Sequence, residues 1–132
     1  MKKKETDQQR LARGIRESLK KGLKDTYEYL LFDKDNHKLI GGCAQTLALI
    51  GLGLKYSTIE HTIEHTNAEV AGVPEGLMIN INLMHCSGNV TAEAIAKLLE
   101  ENRIPEIYLG DEVLKGLSEG LPTRQNEISD WS

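Results

Sequence analysis

Three groups of residues have types and spacings that could do chemistry. The first is His61 and His65, in the string His61-Thr-Ile-Glu-His65. Residues four apart stack on one helical face. Two imidazoles there could clamp a metal ion, with Glu64 beside them as general base, the arrangement a metal-dependent hydrolase uses to activate water. Zinc is the metal such a pair would hold. The same residues also fit a chance repeat. Ile-Glu-His-Thr occurs at 59–62 and again at 63–66, and if the Ile column faces the core, the His column lies about 200° away, toward solvent. No third ligand follows at short spacing, so a metal caught at an oligomer contact is a third reading.

The second group is the loop His85-Cys86-Ser87-Gly88-Asn89. If a strand ends at His85 and a helix begins near Thr91, the loop lies at the carboxyl edge of a sheet, where α/β proteins bind ligands. The helix amides would favour a small anion there. Asp111, after the next strand, would open at the same edge, so His85, Ser87, Asn89 and Asp111 form one expected ligand-binding set. The plainer alternative is that Asn89 and Thr91 cap the helix, Gly88 turns, and His85 is a satisfied boundary residue.

The third is Cys43, after Gly41-Gly42 and at the start of an apolar segment. A helix N-terminus lowers a thiol pKa. With His85 as base and Asp111 as orienter, Cys43 would serve as the nucleophile of a cysteine hydrolase. Against this, a cysteine beside so apolar a run fits equally well as a small core side chain.

The elements that must position these groups follow from periodicity. Leu11, Ile15, Leu19 and Leu23 mark an amphipathic helix over 6–23. Tyr27–Phe32 and Lys38–Gly41 flank an Asp/Asn-rich turn and predict a hairpin. Residues 43–54 read as a buried helix carrying Gly51 and Gly53, and Ser57 to Glu60 is a capping-box match that starts a helix over 57–70, closed by Gly72 and Pro74. Leu77, Ile79, Ile81 and Leu83 alternate with Met78, Asn80 and Asn82, a period of two that predicts a strand over 77–85. A helix at 91–102 and a strand at 106–109 complete a parallel βαβ unit, followed by a short helix from Asp111 to Leu117. The expected fold class is therefore α+β (or α/β): a single domain with a mixed sheet of about four strands, including the hairpin and the βαβ unit, covered by about four helices.

The chain has 132 residues, a net charge of −4 and 39% hydrophobic residues, ordinary for one soluble domain. Charge is uneven. Residues 1–24 hold nine of the 16 Lys and Arg and only three of the 20 acids. This basic amphipathic helix (1–24) precedes a core (25–121) and a polar tail (122–132). A basic arm on an acidic body can bind nucleic acid, or pack on its own body or a neighbour's. It carries no aromatic residue for base stacking. No apolar run follows the basic start as in a signal peptide, and none is long enough to span a bilayer, which points to a cytoplasmic protein with no membrane partner. No phosphate-binding loop or paired-cysteine motif is present.

With no complete catalytic set, the expected function is a small binding or regulatory module. It would act through a protein partner or a small anionic ligand, and as a homo-oligomer. The alternative is a hydrolase, through His61 and His65 or through Cys43 and His85.

Overall fold

The computed structural model describes residues 4–55 and 64–124. Thr6 opens the first helix with a capping box: its hydroxyl accepts from the Gln9 N–H, and Gln9 Oε1 accepts from the Thr6 N–H. That helix, α1 (Asp7–Lys20), buries Leu11, Ala12 and Ile15 on one side. It crosses α2 (Ala44–Gly51) at unusually short range. A Cβ built on Gly14 would lie 2.0 Å from the Ala48 carbonyl oxygen, and one on Gly51 would lie 1.7 Å from that of Gly14. Only hydrogen fits at either position, which is why glycines interrupt two otherwise good helices. Ser18 fixes the crossing, its hydroxyl donating to Leu47 O at 2.5 Å.

The chain between these two helices forms a three-stranded mixed sheet. The expected hairpin is present as β2 (Leu30–Phe32) antiparallel to β3 (Leu39–Gly42). Its turn uses Asx geometry: Asp33 Oδ1 accepts from Asp35 N–H, Asn36 Oδ1 from Lys38 N–H, and His37 takes φ +56°. A short β1 (Lys24–Asp25) adds in parallel, Lys24 opposite Gly41 and Asp25 opposite Gly42.

The remaining described helices are α3 (Glu64–Ala71), α4 (Glu75–Cys86), α5 (Ala92–Glu100) and α6 (Asp111–Ser118). Gly72, at φ +71°, ends α3 as expected; the start expected at Ser57 lies outside the described residues. The chain is thus α+β, and three strands and six helices are described where about four of each were expected.

The largest correction concerns 77–109. Residues 77–85 are helical, not a strand, and among the described residues 106–109 pair with no strand. The βαβ unit is absent. The segment is mostly apolar with only Asn80 and Asn82 between, so a period of two and a helical period both fit it. Burial reveals the true period: Leu77, Met78, Asn80, Ile81, Met84 and His85 are buried, with neighbours three and four apart. The helix start was marked by Pro74 at its cap and Glu75 in its first turn.

One core gathers Leu11, Ile15, Leu47, Leu77, Ile81, Ile95 and Leu99 from α1, α2, α4 and α5. Gln8 ties α1 to the chain beyond α5, its amide donating to Ile104 O and accepting from Ile104 N–H. No described helix is long and apolar enough to cross a membrane.

Candidate functional site

Three polar side chains from distant parts of the sequence meet behind the sheet. Strand β1 delivers Asp25 and the last turn of α4 delivers His85. Arg124 comes from a segment laid beside the α4–α5 loop by three hydrogen bonds. Two of these are Thr91 N–H to Pro122 O and Arg124 N–H to Asn89 O, both 3.1 Å. Asn89 Nδ2 donates to Arg124 O at 2.8 Å, and Val90 bridges Thr123.

His85 Nε2 lies 2.5 Å from Asp25 Oδ1, and Arg124 Nη1 donates to the same oxygen at 3.1 Å. Arg124 Nη2 donates to His85 O at 2.7 Å, while its Nη1 also lies against His85 Nε2. A guanidinium cannot accept, and a carboxylate cannot donate once ionised. His85 Nε2 thus faces both partners: it donates to Asp25 when it carries the proton and accepts from Arg124 when it does not. Asp25 Oδ2 accepts from the Ala92 N–H at 2.7 Å, so the carboxylate also caps α5. The Tyr27 ring covers the guanidinium, 4.2 Å from its carbon. Side-chain exposure is 0% for His85, 9% for Arg124 and 19% for Asp25.

Burial alone would raise the Asp25 pKa and is the largest single influence. The hydrogen bond and charge of His85, the Ala92 amide and the Arg124 charge together outweigh it, and the carboxyl is held below its ordinary value. Arg124 and Asp25 thus form a buried ion pair with His85 bridging it. The histidine ring is fully enclosed, and its Nε2 is shared between Asp25 and Arg124. This arrangement fastens three chain segments together.

In front of the cluster is a groove of about 800 Å³. The buried Ala94 and Leu98 of α5, with the half-buried Leu19 and Leu121, form its apolar floor. Arg16, Lys97 and Arg103 line it with Glu93 and Glu101, and Asp25 and Thr91 stand at the α5 N-terminus. Thr91 caps α5, accepting from the Ala94 N–H.

The residues singled out from sequence are dispersed. Cys43 is buried at the start of α2, its Sγ 3.6 Å from Thr46 Oγ1, and burial pushes its thiol pKa up despite the helix N-terminus. Asp111 is exposed and accepts from Tyr108 OH at 2.7 Å. His85 is engaged with Asp25 and Arg124. Ser87 is the C-cap of α4. Asn89, at φ +56°, binds the Arg124 carbonyl instead of capping α5. The helix N-terminus near Thr91 does hold an anion, and that anion is Asp25. His61 and the side chain of His65 lie outside the described residues; among those described, no group of three or more His, Cys, Asp or Glu could hold a metal ion.

The three arginines of the basic arm are paired within the chain. Arg13 makes two hydrogen bonds to Glu5, Arg16 two to Glu100, and Arg10 pairs with Asp7. Sequence reasoning missed Asp25 and Arg124. A lone acid after a helix end carries no spacing signal, and Arg124 lies in what reads as a polar tail. Comparison with protein-family models, with curated proteins and with solved structures finds no match.

Proposed function

We propose that this protein is a binding module that acts through a protein partner, taking a segment of that partner in the groove between α1, α5 and residues 120–122. The observation that carries this is the groove itself: about 800 Å³, with an apolar floor and a rim carrying charges of both signs. A small anion is the weaker candidate, because of the helix amides that would seat it Ala92 N–H already donates to Asp25 and Ala94 N–H to Thr91. Three cations and three acids line the groove, which suits a peptide of mixed charge better than a single anionic group. The cytoplasmic setting expected from the sequence is kept with this proposal.

The test is selection of a displayed random-peptide library on the intact protein, followed by affinity measurement. Enriched peptides should lose at least tenfold in affinity on the paired change Lys97→Glu and Arg103→Glu. Both side chains are exposed, so the fold should tolerate it. No enrichment, or peptides indifferent to that pair, would sink the proposal.

A further inference from the structure

The most exposed apolar side chains of the described protein sit together at the end away from both glycines of the α1–α2 crossing in sequence: Ile107 at 64%, Leu109 at 55%, Tyr108 at 46% and Val113 at 42%. Three are consecutive, and Val113 is on the first turn of α6. Exposed apolar side chains gathered in one short segment are the kind of surface that marks interaction sites.

The surface is held out by the fold. Asn80 of α4 is fully buried, and its Nδ2 donates to Pro105 O at 2.7 Å and Ile107 O at 3.0 Å. Gly76 lets the chain lie flat on α4, since a Cβ there would fall 2.5 Å from Glu106 O. Tyr108 is pinned by its hydroxyl to Asp111. Among the described residues, no hydrogen bond engages the backbone amides or carbonyls of Tyr108 and Leu109. A buried asparagine and a required glycine thus fix an apolar segment in water with open backbone groups, the template for strand addition.

Charge selects the occupant. Glu106 and Glu112 flank the patch, are exposed, and form no ion pair among the described residues; Lys115 is the nearest cation in sequence on α6. A second copy would bring the same acids against these, which like-charge repulsion disfavours. We infer that Ile107–Leu109 and Val113 form a second docking surface, for a segment of another protein that is apolar at its centre and basic at both ends. It shares no residue with the groove and does not rest on it; with both surfaces occupied, the chain would join two partners.

The test uses two synthetic peptides, Lys-Lys-Leu-Val-Leu-Lys-Lys and its counterpart with glutamates for the lysines, titrated into the full chain and followed by amide NMR shifts. The lysine peptide should shift residues 106–113 and bind at least tenfold more tightly than the glutamate peptide. Leu109→Lys should abolish the effect, and Lys97→Glu with Arg103→Glu should leave it unchanged. Equal binding of the two peptides, no shifts, or shifts confined to the groove would overturn the inference. So would a concentration-dependent dimer in sedimentation that Ile107→Asp disperses. Unfolding curves of the variants separate lost binding from lost folding.

Discussion

Two joints of the molecule are fastened in opposite ways. Near the N-terminus, α1 meets α2 backbone to backbone at Gly14 and Gly51, and the joint is made by the absence of side chains. Near residue 124, the joint is made of Asp25, His85 and Arg124, nearly enclosed and charged. The first depends on shape and the second on charge compensation. A shape joint should be indifferent to pH and ruined by one methyl group. A charge joint should tolerate small changes of volume and fail when one partner is neutralised.

The largest effect should come from Asp25→Asn. It strands a guanidinium that is 9% exposed, and breaking a buried pair from one side typically costs about 3–5 kcal/mol. Urea unfolding at pH 7 measures it; a loss under 1 kcal/mol would make the cluster incidental. Gly14→Ala comes next, at about 3 kcal/mol, because the added methyl meets the rigid Ala48 carbonyl. Its cost should be the same at pH 5 and pH 8, and a marked pH dependence would blur the contrast between the joints.

Acid sharpens that contrast further. The Asp25 carboxyl is depressed in the folded chain, so its contribution is fully present above the unfolded value of about 3.9 and is lost as pH falls through that value toward the folded one. Wild type and Gly14→Ala should therefore both lose stability below about pH 4. Asp25→Asn should lose distinctly less, and parallel acid curves for all three would remove Asp25 as the titrating group. The smallest effect should be Tyr27→Leu, which keeps an apolar cover but removes the ring face over Arg124, at about 1 kcal/mol in thermal or urea unfolding.

The same contrast explains what was legible in the sequence. Amphipathic helices announced themselves: α1, α5 and α6 each carry a clear apolar stripe, and the caps at Thr91 and Gly72 lie where residue type predicts. The β2–β3 hairpin was marked by its Asp/Asn turn. α4 was not legible, because its alternation of Leu and Ile with Met and Asn imitates a strand, and only tertiary burial, that of Asn80 included, chooses the helical period. Losing α4 meant losing the true position of His85, and with it the sheet edge on which His85, Ser87, Asn89 and Asp111 were expected to converge. Asp25 and Arg124 escaped for a different reason: their pairing is a fact of three dimensions with no local pattern. The one prediction that survived in altered form concerns α5, whose N-terminus attracts an anion supplied by the protein itself.

Asp25 and Arg124 are 99 positions apart, and that separation orders events during synthesis. At about 5–20 residues per second, Arg124 is added some 5–20 s after Asp25 leaves the peptidyl-transferase centre. During that interval α1 can form and, once residue 42 has been made, β1 can pair with β3, yet the Asp25 carboxylate lacks its guanidinium. The ionic clasp cannot close until Arg124 has been made, after all of α1 to α6. A ribosome-stalled chain ending before residue 124 should accordingly be cleaved by protease faster than one extended far enough for Arg124 to emerge.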